Sequence, residues 1–239
     1  MTSKENKGFC NEKSECSRCL NCHIRLSAFC GVLNDQEIFE LEKLSFTREL
    51  KKKQTLFFQG DKAISYFNVR TGSLKIYKTN ADGDEQIVGF LFPGDFFGMS
   101  HLDEYTYTAE ALEPTNVCLF NREDMEKFFL SYPELENKIL SIVSQDLTAA
   151  QDQIFLLARS SARERVAQFI LKLSLQRKKM GWNNNSFQFP MSQIELANYL
   201  GIKAETLNRH FKELQNNKII HLEHHKLSIL DHNQLSSFH

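Results

Sequence analysis

The sequence predicts an α+β chain with an N-terminal β-roll of the jelly-roll type, a long helix and a C-terminal winged helix-turn-helix. Three observations predict this order. Short apolar runs separated by glycines occupy residues 50–120, a regular apolar repeat follows them, and two capped helical patterns precede a hairpin pattern near the end. We predict four segments: a Cys-rich leader (1–33), the β-roll (34–128), the long helix (129–158) and the C-terminal domain (159–239).

The composition is that of a folded chain outside the membrane. The 239 residues are 41% hydrophobic and 25% charged, which excludes disorder as the main state. The longest uncharged apolar stretch, residues 87–93, is too short to cross a bilayer. Residues 1–15 are polar and have no apolar signal-peptide segment, so we expect a cytoplasmic protein without a membrane partner.

The net charge of −1 conceals two oppositely charged parts. Residues 161–239 contain 11 Lys and Arg against 6 Asp and Glu, a balance of +5, and the rest of the chain carries −6. A basic C-terminal part predicts a polyanionic partner.

The leader has unusual cysteines. Five of the six Cys lie within residues 10–30, and the spacing Cys19-x2-Cys22-x7-Cys30, with the distant Cys118, supplies four thiolates. In a chain without a signal peptide, this density indicates a metal or cluster site and not disulfides. Four thiolates suit a [4Fe–4S] cluster or a tetrahedral zinc, and spacing alone does not separate them. Cys118 also fits a small buried side chain, and we expect His23 to be solvated.

The β-roll is predicted from strands of four to six residues between turns. Asn34 is a good helix cap, so residues 34–46 are predicted to form a short helix. Strands are expected at 55–58, 66–69, 73–77 and 86–90, with a hairpin turn at Asp82-Gly83-Asp84.

A long helix is predicted from Ser131, with Ser131 and Glu134 as a capping box and Pro133 in its first turn. Apolar residues then recur at alternating steps of three and four, as in a coiled coil. We call these residues the seam and expect them to pair with a second copy of the chain; an ordinary buried helix is the alternative. The seam comprises Leu140, Val143, Leu147, Ala150, Ile154 and Leu157. Four apolar residues off the seam are expected to pack on the β-roll: Ile139, Ile142, Phe155 and Leu156.

The C-terminal part reads as a helix-turn-helix with a wing. A helix at 161–180 and a polar loop at 181–190 are predicted before a capping box of Ser192 and Glu195. Gly201 marks the turn to a second helix at 204–216, and residues 219–222 and 227–230 form the wing hairpin.

The second of these helices is the predicted recognition helix for double-stranded DNA. Glu205, Asn208 and Arg209 share one face of its N-terminal half, where an Arg can contact guanine and a Glu can accept from cytosine. Lys203 and Lys212 are candidate phosphate contacts. The alternative is a solvated polar face with a Glu–Arg pair.

No catalytic residues are predicted. The Gly-rich region has no P-loop or G-x-G-x-x-G motif, and no acid, base and nucleophile set emerges. The sequence therefore does not indicate an enzyme.

Residues 16–230 resemble the CRP/FNR superfamily of bacterial transcription regulators, and within it the oxygen-sensing FNR branch. The resemblance is carried by Gly83–Phe90, Ala111–Cys118, Gln151-Asp152, Ala197–Gly201 and the pair Glu205 and Arg209. It implies a cyclic-nucleotide-binding-like β-roll, a homodimer, palindromic DNA with TTGAT-like half-sites, and contact with RNA polymerase through the turn at 82–85. Asn208 departs from the Ser that is usual in this branch.

The resemblance also implies that Cys19, Cys22, Cys30 and Cys118 ligate a [4Fe–4S] cluster. Cys16 offers the same local spacing as a substitute ligand, and Cys10 is extra. The cluster is expected to be oxygen-labile and to favour DNA binding at low oxygen. A structural zinc, a thiol redox switch, or a haem bound through His101 are the alternatives.

The same superfamily contains cyclic-nucleotide receptors, which hold the cyclic phosphate with an Arg followed by Ser or Thr. The corresponding stretch here is Tyr105-Thr106, and no Arg lies between Arg70 and Arg122. We therefore expect no cyclic nucleotide.

Overall fold

The computed structural model describes residues 17–223 and 225–238. Two short 3-10 turns, Arg25–Ser27 and Phe29–Val32, lead into α1 (Asp35–Lys43). The β-roll contains β1 (Ser45–Leu50), β2 (Thr55–Phe57), β3 (Ser65–Thr71), β4 (Leu74–Thr79), β5 (Glu85–Leu91), β6 (Phe96–Phe97), β7 (Thr108–Ala111) and β8 (Thr115–Asn121). The helices α2 (Arg122–Ser131) and α3 (Pro133–Arg159) follow. The C-terminal domain contains α4 (Ala162–Lys179), β9 (Ser186–Gln188), α5 (Gln193–Leu200), α6 (Ala204–Asn216), β10 (Ile220–Glu223), β11 (Lys226–Ile229) and α7 (His232–Ser236). The predicted fold class is confirmed.

The β-roll consists of two antiparallel four-stranded sheets, in the orders β1-β8-β3-β6 and β2-β7-β4-β5. Aromatic rings fill the space between them: Phe57 stacks on Tyr105 with ring centroids 3.8 Å apart and on Phe67 at 5.4 Å. The buried Tyr105 hydroxyl donates to the Ser65 carbonyl oxygen at 2.8 Å. The interior of this β-roll is therefore a packed aromatic core.

The first sheet is covered on its outer face as well. Side chains alternate along β3, so Phe67 and Val69 face the interior while Tyr66 faces outward. We call the apolar cluster on the outer face the outer core. It joins the leader, α1, α2 and the start of α3 to the sheet, and its buried members are Phe29, Leu33, Ile38, Leu41, Tyr66, Phe96, Phe120, Met125, Phe128 and Leu135.

The start of α3 differs from the prediction. Ser131 ends α2, where its hydroxyl donates to the Lys127 carbonyl oxygen at 3.4 Å, and Pro133 begins α3 after a Tyr132 cap that has no side-chain hydrogen bond. The capping box of Ser131 and Glu134 was therefore wrong, because Ser131 is used by the preceding helix. Beyond this point, Ile139 and Ile142 pack against the outer core as predicted, whereas Phe155 is 66% exposed and does not pack on the β-roll.

In the C-terminal domain, three of the four predicted features are confirmed, beginning with the first helix, which is α4. The helix-turn-helix (α5 and α6) and the wing hairpin (β10 and β11) form as expected. The predicted polar loop at 181–190 is wrong in its middle, because β9 pairs there with β11 and makes a three-stranded sheet. Phe187 of β9 and the adjacent Phe189 are buried and fix this strand in the core. The sequence did not predict a strand here, because these two residues stand among Asn and Ser residues that favour a loop.

No helix within the two described ranges combines the length and the apolar character that crossing a bilayer requires.

Two glycines with positive φ allow a matched test of packing in the β-roll. Gly72 (φ +80°) lies where a Cβ would be 2.5 Å from the Pro114 carbonyl oxygen, while a Cβ at Gly60 (φ +90°) would meet nothing within 4 Å. Both Ala variants incur the left-handed penalty of about 1–2 kcal/mol. We expect Gly72→Ala to lower the free energy of unfolding by about 1–3 kcal/mol more than Gly60→Ala, measured by chemical denaturation. Equal losses would contradict the close approach of these two turns.

Candidate nucleic-acid interface and thiol site

The helix α6 has one buried face and one open face. Leu207, Phe211 and Leu214 are buried in the core of the C-terminal domain. Lys203 precedes the helix in extended conformation and is exposed. This orientation leaves the opposite face free for a partner.

The predicted DNA-reading residues share that open face. Glu205, Arg209 and Lys212 are exposed and Asn208 is half-buried, and together they line a shallow groove along α6. The groove continues to Glu213, whose pKa is lowered by the hydrogen bond from His210. A row of donors and acceptors on an exposed helix can read base edges in a major groove.

The turn before α6 is held rigidly. Ser192 and Glu195 form the predicted capping box of α5, and Gly201 ends the helix in the left-handed conformation at φ 62°. The Arg165 guanidinium of α4 donates to the Leu200 carbonyl oxygen at 2.8 Å and so binds an unpaired helix end. Sequence reasoning missed this role of Arg165, because nothing local in the sequence pairs residues so far apart.

Cys118 lies on the outer face of the first sheet. Its cross-strand neighbours are Thr47 of β1 and Asn68 of β3. Arg18 of the leader donates to the Thr47 hydroxyl at 3.1 Å, and this contact brings the leader to the strand pair that carries Cys118.

Glu42 of α1 holds the beginning of the described leader. Its carboxylate accepts from the Arg18 backbone N–H at 3.0 Å, forms an ion pair with the Arg18 guanidinium at 3.3 Å and accepts from the Ser17 hydroxyl. These contacts place Cys19, the next residue, beside the sheet.

The described part of the chain has four free thiols, three in the leader and one, Cys118, on β8. Cys19, Cys30 and Cys118 are half-buried and pack against the outer core, and Cys22 follows Cys19 by one turn, with its N–H donating to the Cys19 carbonyl oxygen at 3.3 Å. Cys16 and Cys10 lie outside the described residues. His23 is exposed, as expected.

The thiols interact electrostatically with one another. Burial raises the pKa of the Cys30 thiol to about 12, and the neighbouring Cys19, Cys22 and Cys118 contribute to this increase. Burial raises the pKa of Cys118 to about 11, again with contributions from Cys19 and Cys22. Negative charge on Cys19 or Cys22 therefore disfavours charge on Cys30 and Cys118, and a bound cation would relieve this repulsion.

These thiols do not converge on one point. Among the described residues, no group of three or more His, Cys, Asp and Glu is arranged to hold a single metal ion. A tetrahedral zinc needs all its sulfurs about 2.3 Å from one centre, whereas an iron–sulfur cluster distributes its thiolates over several irons. By donor chemistry, four thiols suit a [4Fe–4S] cluster or a zinc ion alike.

The leader also contacts α3. The turn Phe29–Val32, which contains Cys30, lies against this helix, and Phe29 and Leu33 share the outer core with Leu135. The thiol site and the long helix are thus parts of one packed unit.

The seam of α3 is uncovered in the single chain. Leu140, Leu147 and Ile154 are 61%, 60% and 68% exposed, and Val143 and Leu157 are 44% and 40% exposed. Ala150 is also exposed. An apolar stripe of this length on an exposed helix is typical of a helix that pairs with another.

Two positions in the β-roll bear on the alternative ligands, Tyr105 on a cyclic nucleotide and His101 on haem. Tyr105 occupies the interior, where its ring is 5% exposed, and His101 is exposed on a loop. An exposed His is a poor buried axial ligand for haem.

Two family models match this chain: a cyclic nucleotide-binding domain over residues 47–132 and a Crp-like helix-turn-helix domain over residues 164–238. The transcriptional activator protein FnrA of Stutzerimonas stutzeri is 35% identical over 87% of this chain and 86% of its own length. The nitrogen fixation regulation protein FixK of Bradyrhizobium diazoefficiens is 34% identical over 86% of this chain and 87% of its own length. Among solved structures, FixK2 from Bradyrhizobium japonicum superposes with a TM-score of 0.76 at 27% identity, covering 81% of this chain and 96% of that one.

Proposed function

This chain belongs to the CRP/FNR family, whose members are DNA-binding transcription regulators and not enzymes, and we propose that it acts in the cytoplasm as a homodimer controlled by an oxygen-labile [4Fe–4S] cluster. The observation that carries the proposal is the outer core, which packs the thiol site and the long helix into one unit. Similarity to a relative named FnrA supports the cluster by analogy.

Cys19, Cys22, Cys30 and Cys118 would hold the cluster, with Cys16 as a substitute ligand for Cys19. When bound, the cluster supplies iron–thiolate bonds that oxygen destroys. These bonds would tie the three leader cysteines to Cys118 of β8, in addition to the contact of Arg18 with Thr47 of β1.

The leader then transmits its state to α3. Phe29 and Leu33 pack with Leu135, at the start of α3, in the outer core. Attachment of the thiolates would keep these residues in place and so present the seam in a fixed direction. Without the attachments, the described leader is held mainly by Glu42 and by apolar contacts. Pairing of two seams is the equilibrium that this difference biases.

Pairing places two α6 helices on one palindromic site with TTGAT-like half-sites. Glu205 and Arg209 would read the inner base pairs, Asn208 an outer base, and Lys203 and Lys212 the phosphates. The exposed turn at residues 82–85 would contact RNA polymerase. We expect no cyclic nucleotide, because the stretch Tyr105-Thr106 lacks the Arg that would hold a cyclic phosphate.

The cluster is tested by anaerobic purification with iron and sulfide analysis. We expect about four irons and four sulfides per chain and a brown absorption that bleaches in air. Cys22→Ser and Cys30→Ser should lose the iron, while Cys10→Ser serves as the control and keeps it; comparison of Cys16→Ser with Cys19→Ser decides which of the two ligates. Colourless protein with one zinc would contradict oxygen sensing and leave DNA binding standing.

DNA reading is tested by variants on the open face of α6. We expect Arg209→Ala to cost about 1–3 kcal/mol of binding to a TTGAT-like palindrome and to relax base preference at one position, measured by titration with substituted duplexes. Lys212→Ala should weaken binding to all duplexes alike and reduce the salt dependence of the affinity. Lys178→Ala, an exposed cation on α4, is the control. If Arg209→Ala weakened binding to every duplex sequence equally, the assignment of Arg209 to base reading would be wrong.

Pairing through the seam is tested by introducing a charged side chain into it. Leu147→Glu places a carboxylate against its two-fold mate, so we expect a monomer in sedimentation at micromolar concentration. Leu130→Glu, at an 81% exposed position of α2, should leave the dimer intact. Ala150 is small and uncharged, so we also expect wild-type protein without its cluster to retain part of the dimer. A dimeric Leu147→Glu variant would place the interface elsewhere.

A further inference from the structure

The first helix of the helix-turn-helix is docked on the chain's own β-roll. Glu195, Asn198 and Tyr199 lie three and four positions apart on one face of α5, and all three contact the sheet formed by β4 and β5. Leu196 and Leu200 face the core of the C-terminal domain. The helix α5 therefore lies between the two domains.

Asn198 makes the densest of these contacts. Its side-chain oxygen accepts from the Ile87 N–H at 2.7 Å, its side-chain nitrogen donates to the Glu85 carbonyl oxygen at 2.9 Å, and its own carbonyl oxygen accepts from the Gln86 side chain at 2.8 Å. Since β5 is the edge strand of its sheet, its outward backbone groups have no neighbouring strand. The Asn198 amide presents one acceptor and one donor to them, as a further strand would.

Contacts on either side reinforce this position. Lys75 of β4 lies 3.2 Å from the Glu110 carboxylate and 3.4 Å from that of Glu195, with its side chain only 11% exposed. Burial alone would lower the pKa of Lys75, but the two carboxylates outweigh it and raise the pKa. The ring of Phe90 packs edge-on against Tyr199 at 5.2 Å.

The contacts that fix α5 on the β-roll also fix the position of α6. The two helices share buried residues of one core, including Leu196 and Leu207, and the Gly201 turn between them is fixed. The docking leaves Glu205, Arg209 and Lys212 exposed. It therefore sets the direction of the reading face without covering it.

We propose that Asn198 is a positioning residue for DNA binding, whose amide attaches α5 to the edge of β5 and thereby orients α6 relative to the β-roll and the seam. The inference rests on the proposed DNA-binding function and adds to it the route by which the β-roll reaches the recognition helix. A palindrome is bound by two α6 helices at once and depends on their orientation, whereas a single half-site is bound by one and does not.

The test compares Asn198→Ala with two other variants. Asn233→Ala is the control and changes an exposed Asn of α7. Gln86→Ala changes an exposed residue of β5 and leaves the core of the C-terminal domain intact. Hydrogen exchange of the Ile87 amide reports the attachment, since the amide of Asn198 is its partner. Binding is titrated with two duplexes, one carrying a TTGAT-like palindrome and one carrying a single half-site.

For Asn198→Ala we expect exchange at Ile87 to become at least about tenfold faster. Affinity for the palindrome should fall by about tenfold while affinity for the half-site is unchanged. Gln86→Ala should also speed exchange at Ile87 and weaken binding to the palindrome, but by less than Asn198→Ala does. Asn233→Ala should match the wild type in both measurements.

Three results would overturn the proposal. Unchanged exchange at Ile87 would show that Asn198 does not hold α5 there. Faster exchange with an unchanged palindrome affinity would show that the attachment does not position α6, and equal losses on both duplexes would assign Asn198 to folding of the helix-turn-helix. Failure of wild-type protein to bind either duplex would instead reject the proposed binding of TTGAT-like sites, and with it the positioning role at such sites, while exchange at Ile87 would still report whether the contact exists.

Discussion

The packing of apolar side chains on the outer face of the first sheet is the constraint on which the rest of the structure depends. Phe29 of the leader contacts Phe96 and Phe120 of this sheet with ring centroids 4.5 and 5.5 Å apart. The same cluster buries Met125 of α2 and Leu135 of α3 completely. One continuous apolar unit therefore connects the Cys-rich segment, the β-roll and the long helix, and a displacement of the leader changes the packing of the helix directly.

A second interface, on the opposite sheet, connects the β-roll to the C-terminal domain. Tyr77 and Ile87 belong to the same buried cluster as the core of α4, α5 and α6. Polar contacts of Asn198 and Lys75 surround this apolar contact and fix its direction, since hydrogen bonds and ion pairs depend on geometry more than apolar contacts do. The two sheets of the β-roll thus serve different neighbours, one the thiol site and one the helix-turn-helix.

The thiol site shows how an apolar environment and a charged ligand set coexist. Half-buried sulfurs beside a packed core resist ionisation, as the high pKa of Cys30 and Cys118 indicates. A cationic group bound there would reverse this preference and would join the leader to the sheet with bonds much stronger than the apolar contacts. Attachment and release of the leader would then be coupled to the bonding of the thiolates.

Local patterns in the sequence predicted the α6 helix with its exposed polar face, the wing and the periodic seam. Each of these depends on residues a few positions apart, as does the spacing of Cys19, Cys22 and Cys30. Where local signals compete, the prediction failed: Ser131 ends one helix instead of capping the next, and β9 lies in an Asn-rich stretch that reads as a loop. Only the tertiary structure decided which residues meet across the chain, such as Cys118 with Thr47 and Asn198 with Ile87. Strand register and domain docking are non-local, since they depend on how whole faces pack, and no short sequence pattern encodes them.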